Sequence, residues 1–264
     1  MRRQDYSQEI IDQLVYNYQI LRQPLYKIGE SFGIKRGVAK RILQEQGVRI
    51  RTNGEVHRKY EPNKNFFSTE NANMAYVLGF IAADGTISKD SNRIKIGLSA
   101  NDVEHLELIK SIMGINYPIK KYTNKDNFEI VELVWTCEQH KIDLAKYGVV
   151  PKKTYTFKFP SNLSKLYWAD FIRGYFDGDG SITGTKPEWK ICSYKKDVLE
   201  KINEFFVDNG IKLSVIHKRN GHELYDLRYA SKDSLIKIYN LLYYNNDVPC
   251  MKRKKEKFES YKMI

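Results

Sequence analysis

Apolar residues recur along this chain with two different periods, and each change of period marks a boundary between elements. From residue 7 to 47 the period is helical. Ile10, Ile11, Leu14, Val15, Tyr18 and Leu21 share one face of a first helix that Ser7 can cap. Pro24 interrupts it. A short helix over residues 25–32, a turn at Gly33 and a helix over 35–46 closed by Gly47 follow, with Ile28, Phe32, Ile34, Val38 and Ile42 as their core face. Residues 48–68 lose the periodicity and turn polar and basic, which predicts an extended linker. From about residue 69 the pattern runs twice through the same sequence of elements. Each copy starts with an apolar helical run and continues into strands beginning near 86 and 93, or near 181 and 189. A helix over 103–113 or 198–209 comes next, then an alternating run at 129–135 or 225–229 and another helical stretch. Residues 93–99 alternate strictly, Ile94, Ile96 and Leu98 against Arg93, Lys95 and Ser99. The pattern predicts an α+β fold of two αββαββα half-domains, 69–160 and 161–264, preceded by an all-α domain over 1–48 and a linker over 49–68. Each sheet has one face covered by helices and one face open and basic.

Each repeat opens on the same short motif: 77–85 reads Val-Leu-Gly-Phe-Ile-Ala-Ala-Asp-Gly and 172–180 reads Ile-Arg-Gly-Tyr-Phe-Asp-Gly-Asp-Gly. An apolar helix thus ends, twice, in Asp-Gly. Glycine suits the left-handed backbone that follows many helices. A carboxylate in the last helical turn, however, faces the negative end of the macrodipole, at a cost of about 0.3–1 kcal/mol. Such a conflict seen twice marks a place where function overrides propensity. Gly79 and Ala83 lie four apart, as do Gly174 and Gly178, and Ala72 and Ala75 extend the first bare stripe. Small faces allow helix backbones to approach closely, which would set Asp84 beside Asp179. Two carboxylates that close repel unless a cation or shared proton separates them, and a divalent metal is the natural occupant. Oxygen-only ligands favour Mg²⁺ (or Mn²⁺) over zinc.

The charge sharpens the choice of partner. Against 32 acidic residues stand 44 basic ones, a net charge of +12, and such a field attracts polyanions, nucleic acid foremost. In the N-terminal domain Lys35, Arg36, Lys40, Arg41 and Gln44 would project from the last helix, a set suited to phosphates and base edges if the three helices form a helix-turn-helix. A helical hairpin used only for packing is the competing reading. Arg49 and Arg51 in the linker could follow a DNA backbone, or could simply be solvated. Three scattered cysteines, Cys137, Cys192 and Cys250, point to a reducing compartment. The apolar run over 74–83 is too short to span a bilayer, and with no secretory signal visible the expected location is cytoplasmic. Three decoys fall away. Asp177-Gly-Asp179-Gly-Ser181 mimics a calcium loop but has Ile182 where that loop needs glycine. Cys137 and His140 have a ligand-like spacing without a second pair, and His217 and His222 lie in a polar turn matching no catalytic motif.

The doubled motif and its repeated flanks, over residues 69–264, resemble the LAGLIDADG homing endonucleases in their single-chain, two-motif form. That resemblance implies two pseudo-symmetric halves, motif helices at the centre, and a saddle of two four-stranded sheets over duplex DNA. It implies that the last acid of each motif, Asp84 and Asp179, binds divalent metal at the scissile phosphates. Asp177, whose counterpart is Ala82, would then support the fold or its neighbours instead. The family also places a lysine near each site, and Lys153 and Lys254 are the positional matches; both sit in charge runs that could equally be solvated. Arg93, Lys95, Lys190 and Arg228 would read the major groove from the strands. The implied activity is monomeric, site-specific, metal-dependent cleavage of both strands of a long asymmetric DNA site, leaving short 3′ overhangs. A transcription regulator of the same fold that has lost cleavage, and an RNA maturase assisting intron splicing, are the alternatives.

Overall fold

The computed structural model describes residues 6–52, 60–183, 187–221 and 223–261, and packing divides the chain into units 1–59 and 60–264. In the first unit the helical period becomes three helices, α1 (Gln8–Gln19), α2 (Leu25–Ser31) and α3 (Arg36–Glu45). Leu14, Ile28, Ala39 and Leu43 are fully buried between them. Gly33 has φ +63°, the left-handed conformation that turns α2 into α3. Ser7 stands at the start of α1, but its side chain makes no capping bond. The other end of α1 is stabilised instead. The guanidinium of Arg51 donates to the carbonyls of Tyr18, Arg22 and Gln23 at 3.2, 2.9 and 2.6 Å and lies over the Tyr18 ring at 4.3 Å. Arg51 therefore ties the end of the stretch after α3 back onto α1, as a cation near a helix C-terminus does.

The second unit contains α4 (Ala72–Asp84), β1 (Gly85–Ile87), β2 (Arg93–Ser99), α5 (Val103–Met113), β3 (Ile119–Thr123), β4 (Glu129–Thr136) and α6 (Glu138–Lys146). The order then recurs as α7 (Trp168–Asp179), β5 (Gly180–Thr183), β6 (Glu188–Ser193), α8 (Lys196–Asp208), β7 (Ile216–Lys218), β8 (Tyr225–Tyr229) and α9 (Lys232–Leu242), with α10 (Lys252–Ser260) at the end. Two antiparallel four-stranded sheets result, ordered β1-β2-β4-β3 and β5-β6-β8-β7. Their registers match: Gly85 pairs with Ile96 and Ile96 with Leu133, as Gly180 pairs with Ile191 and Ile191 with Leu227. The repeated α+β architecture is the one the periodicity predicts. Each sheet buries one face, Ile94, Ile96, Leu133 and Trp135 in the first and Trp189, Ile191, Leu227 and Tyr229 in the second.

Three local expectations are corrected. The linker was expected over 49–68, yet Phe66 and Phe67 pack edge to face at 4.9 Å within the core of the second unit, because two aromatic rings bury more than a solvated tether would. Residues 53–59 of that linker lie outside the described residues. Strands β3 and β7 carry no clear alternation, being short and exposed edges, and His217 stands in β7 rather than in a turn. The charge run at 252–260 is a helix, anchored by buried Lys254 and Phe258. Among the described residues no helix is long and apolar enough to cross a membrane.

Candidate active site

Helices α4 and α7 touch backbone to backbone. A Cβ added to Gly79 would stand 2.0 Å from the carbonyl oxygen of Phe171, and one on Gly174 would stand 2.0 Å from that of Tyr76. Farther along, a Cβ on Gly178 would meet the Ala83 methyl at 2.3 Å and an Asp84 carboxylate oxygen at 3.4 Å. The small-residue stripes thus face each other, and the end of α7 lies against the Asp84 side chain. Gly85 and Gly180, which close the motifs, are not left-handed: their φ,ψ angles are −73°,150° and −88°,165°. Space requires them instead. A Cβ would reach within 2.6 Å of the Ile81 carbonyl oxygen at Gly85 and within 2.5 Å of the Phe176 carbonyl oxygen at Gly180, so the strand starts by folding back tightly along the helix.

The two terminal carboxylates feel one another. Asp179 has its pKa raised to about 6, first by the desolvation of a site crowded with protein and then by the charge of Asp84. Asp84 is raised for the same first reason, while Lys254 and Lys153 pull it back. Both side chains still reach solvent, so the crowding is that of a cleft, not of a sealed interior. On the Asp179 side the cleft, about 190 Å³, is lined by Ala83, Lys153, Thr154, Tyr175, Cys192 and Tyr194 among others.

Each motif helix ends under a lysine. The ammonium of Lys153 donates to the carbonyl of Ala83 at 2.9 Å. That of Lys254 lies among the carbonyls of Phe176, Asp177, Gly178 and Gly180 at 2.9, 2.5, 3.2 and 2.7 Å. Both side chains are buried, and neither belongs to a solvated charge run. Burial lowers both pKa values, Lys254 to about 8, against the pull of the nearby aspartates. Here is the answer to the doubled electrostatic conflict: a cation sits at the negative end of each helix, satisfying carbonyls that the helix leaves open and offsetting the terminal carboxylate. The two lysines differ in degree. Lys254 has three protons for four oxygens, whereas Lys153 gives one bond to the helix end and faces Asp179 and Asp84.

Asp177 has a different task. Fully buried, it accepts from the Tyr76 hydroxyl at 2.6 Å and from the Met251 backbone N–H at 2.7 Å, joining α4, α7 and the segment leading to α10. Tyr76 also bonds His105 at 3.2 Å, and burial lowers that imidazole's pKa to about 4. Arg173, equally buried, bonds Asp170 at 2.7 Å and the carbonyls of Leu242 and Pro249. Arg253 makes two bonds to Asp102, at 2.6 and 3.0 Å, tying α10 to the first half-repeat. These interior ties were missed from the sequence. One signal was available: Arg173 interrupts an otherwise apolar motif helix, and an arginine there must find acceptors.

The residues suit a hard cation. Two carboxylates supply oxygen donors, and among the described residues no group of three or more His, Cys, Asp or Glu forms a metal cage. Magnesium, which keeps waters and phosphate oxygens in its shell, fits such a half-open donor set; zinc, which wants a closed tetrahedron of nitrogen and sulfur, does not. Cys137 and His140 are otherwise engaged, His140 between the Trp135 indole at 3.0 Å and the Asn63 carbonyl at 2.6 Å.

The sequence-proposed contact residues fall on two surfaces. On α3 and just before it, Lys35, Arg36, Lys40, Arg41 and Gln44 are all exposed, as is Arg49. On the open sheet faces, Arg93 is exposed and Lys95 bonds Glu132 at 2.8 Å. Lys190 stands opposite Arg228, which bonds Asp226 at 2.7 Å. Arg51 is turned to the carbonyls described above.

Residues 167–242 match the model of the LAGLIDADG-like domain, and the second half-repeat is such a domain. The chain is 23% identical over 172 residues to the probable translation initiation factor IF-2 of Methanocaldococcus jannaschii, matching 63% of this chain. That match spans only 13% of the relative's length. Among solved structures, mesophilic variants of the homing endonuclease I-DmoI align at 17% identity, TM-score 0.48, over 71% of this chain and 96% of theirs. The meganuclease I-SmaMI bound to uncleaveable DNA aligns at 12%, TM-score 0.49, over 74% and 87%. Full-length DUF199/WhiA from Thermatoga maritima aligns at 14%, TM-score 0.48, over 76% and 65%.

Proposed function

We propose that this chain is a site-specific double-strand DNA endonuclease of the homing type. The observation that carries this reading is the pair Asp84 and Asp179, brought together at the ends of two helices in backbone contact and flanked by buried lysines. The pair would hold Mg²⁺ or Mn²⁺, which when bound neutralises phosphate charge and lowers the pKa of a coordinated water. Lys153, with one proton committed to Ala83, has donors left for a phosphoryl oxygen. The open sheet faces, through Arg93, Lys95, Lys190 and Arg228, would lie in the major groove on either side of the cut. The N-terminal unit would act as a helix-turn-helix, α3 adding contacts through Lys35, Arg36, Lys40, Arg41 and Gln44 and lengthening the asymmetric site. On this reading the enzyme works as a monomer in the cytoplasm and leaves short 3′ overhangs.

The test is incubation with a randomised duplex library and Mg²⁺, followed by sequencing of the ends. Wild type is expected to give double-strand ends at one site, and Asp84→Asn, Asp179→Asn or EDTA to abolish them while duplex binding persists. Undiminished cleavage by either variant would overturn the site. Duplex binding with no cleavage by wild type would favour the regulator, and preferential retention of structured RNA the maturase.

A further inference from the structure

The open face of the second sheet carries an acid where a DNA-binding surface should repel one. Asp226 stands on β8 opposite Cys192 of β6 and His217 of β7, with its side chain only 1% exposed. Two guanidinium groups close over it. Arg219 donates from Nε at 2.9 and 3.0 Å and from Nη2 at 2.8 Å, and Arg228 donates from Nη2 at 2.7 Å. A second bond from Arg219 Nη2 reaches the Cys192 sulfur at 3.2 Å. Burial alone would raise the carboxyl pKa, but the two arginines outweigh it and hold the group well below the ordinary carboxylate range. The arginines themselves stay accessible, 37% and 41% exposed; the Nη1 group of Arg219 is left out of the bonds to Asp226, and that of Arg228 lies 3.9 Å from a Glu188 carboxylate oxygen at the rim of the same face.

The same position recurs in the first sheet. Leu133 opposes Ile96 as Leu227 opposes Ile191, so Glu132, one residue before, is the equivalent of Asp226. Glu132 likewise gathers donors from the open face, the Lys95 ammonium at 2.8 Å and the Tyr122 hydroxyl at 2.7 Å. Beside Asp226, Lys190 and Arg228 face each other across β6 and β8, a like-charge pair that is unfavourable in an isolated sheet. An acid placed twice at one register among crowded cations acts as a fixture for them.

Resting on the DNA reading above, we infer that Asp226 is a positioning residue for sequence recognition: it fixes Arg219 and Arg228 so that the half-site under the second sheet selects guanine. The reason lies in the donors. A guanidinium offers only N–H groups, and in the major groove only guanine presents two adjacent acceptors, O6 and N7, with no donor or methyl beside them. A free arginine loses rotamer entropy on binding and swings readily to the nearest phosphate; one already held has lost that freedom and keeps its direction. Lys95 on Glu132 is a swivelling point charge, so the half-site under the first sheet carries the weaker guanine preference.

The experiment retains duplexes from a randomised pool on the full chain in EDTA buffer, without cleavage, and sequences the bound fraction. Wild type is expected to show guanine at two positions of one half-site, and Arg219→Ala and Arg228→Ala each to erase one of them. Asp226→Asn should weaken both guanine preferences by roughly five- to hundred-fold while leaving affinity for the unselected pool equal or higher. Because Asp226 is buried, Arg228→Lys serves as an exposed second variant that keeps the charge: its guanine preference should fall by more than its affinity for the unselected pool. Unchanged preferences in Asp226→Asn, or an equal loss across all sequences in Arg228→Ala, the mark of a phosphate contact, would overturn the inference and leave the endonuclease reading intact. Failure of the wild type to retain any duplex would overturn both.

Discussion

Replacing Lys254 by methionine separates a lysine that serves the helix from one free to serve a phosphate. Its ammonium has three protons directed at four carbonyl oxygens around the end of α7. Three bonds from a charged donor contribute about 5–9 kcal/mol gross. Burial outweighs the nearby aspartates and lowers its pKa from 10.5 to about 8, a net penalty on the charged form of about 3 kcal/mol. Methionine restores the apolar stem and removes both contributions, leaving a net loss of about 2–6 kcal/mol. Lys153→Met removes a single such bond, at most about 3 kcal/mol before desolvation is subtracted. The chain's three tryptophans, Trp135, Trp168 and Trp189, all lie in the second unit, so their fluorescence in urea reports on that unit alone. The midpoint should fall by roughly 1 M for Lys254→Met and much less for Lys153→Met. On cleavable DNA, Lys153→Met should lose cleavage while folded as wild type. Equal midpoints for the two variants, or a Lys254→Met protein as stable as wild type, would refute the capping argument.

Other expectations follow from the same geometry. Gly174→Ala drives a methyl to 2.0 Å from the Tyr76 carbonyl oxygen; separating the helices by about 1 Å should cost about 3 kcal/mol or more despite the ~1 kcal/mol gain in helix propensity, and should abolish cleavage, whereas Gly37→Ala, with nothing within 4 Å, should be neutral or stabilising by far-UV circular dichroism melts. His105 is neutral when folded, with a pKa near 4 against 6.5 unfolded, so its contribution is complete above pH 6.5 and is lost as pH falls toward 4. Between pH 6.5 and 5 wild type should lose about 2 kcal/mol more than His105→Gln in urea titrations, and parallel pH curves would contradict this. Deleting residues 1–59 should weaken duplex binding and flatten the slope of log affinity against log salt, because fewer phosphate contacts release fewer counterions; an identical slope would mean that α3 does not touch DNA.

Much of this molecule is legible in one dimension. The doubled motif, the helical stripes and the strict alternation over Arg93–Ser99 are properties of neighbours in sequence, and local geometry alone converts them into helices, strands and a repeated fold. Asp84 and Asp179 stood out for the same reason: an acid at the wrong end of a helix is a local conflict visible without any partner. What the structure alone decided concerns groups that meet from far along the chain. Lys254 finds its carbonyls 74 to 78 residues away, and a charge run gives no hint of acceptors so distant. Gly85 and Gly180 were expected for a left-handed turn, and only the packed backbone shows that lack of space is what requires them. Phe66 and Phe67 read as linker until a core was there to receive them. Asp226 reads as one more acid in a polar strand, until β6, β7 and the turn after it bring Arg219 and Cys192 around it. Periodicity fixes which face of an element is buried, but a buried charge is explained only by the partner that neutralises it, and only the tertiary structure supplies that partner.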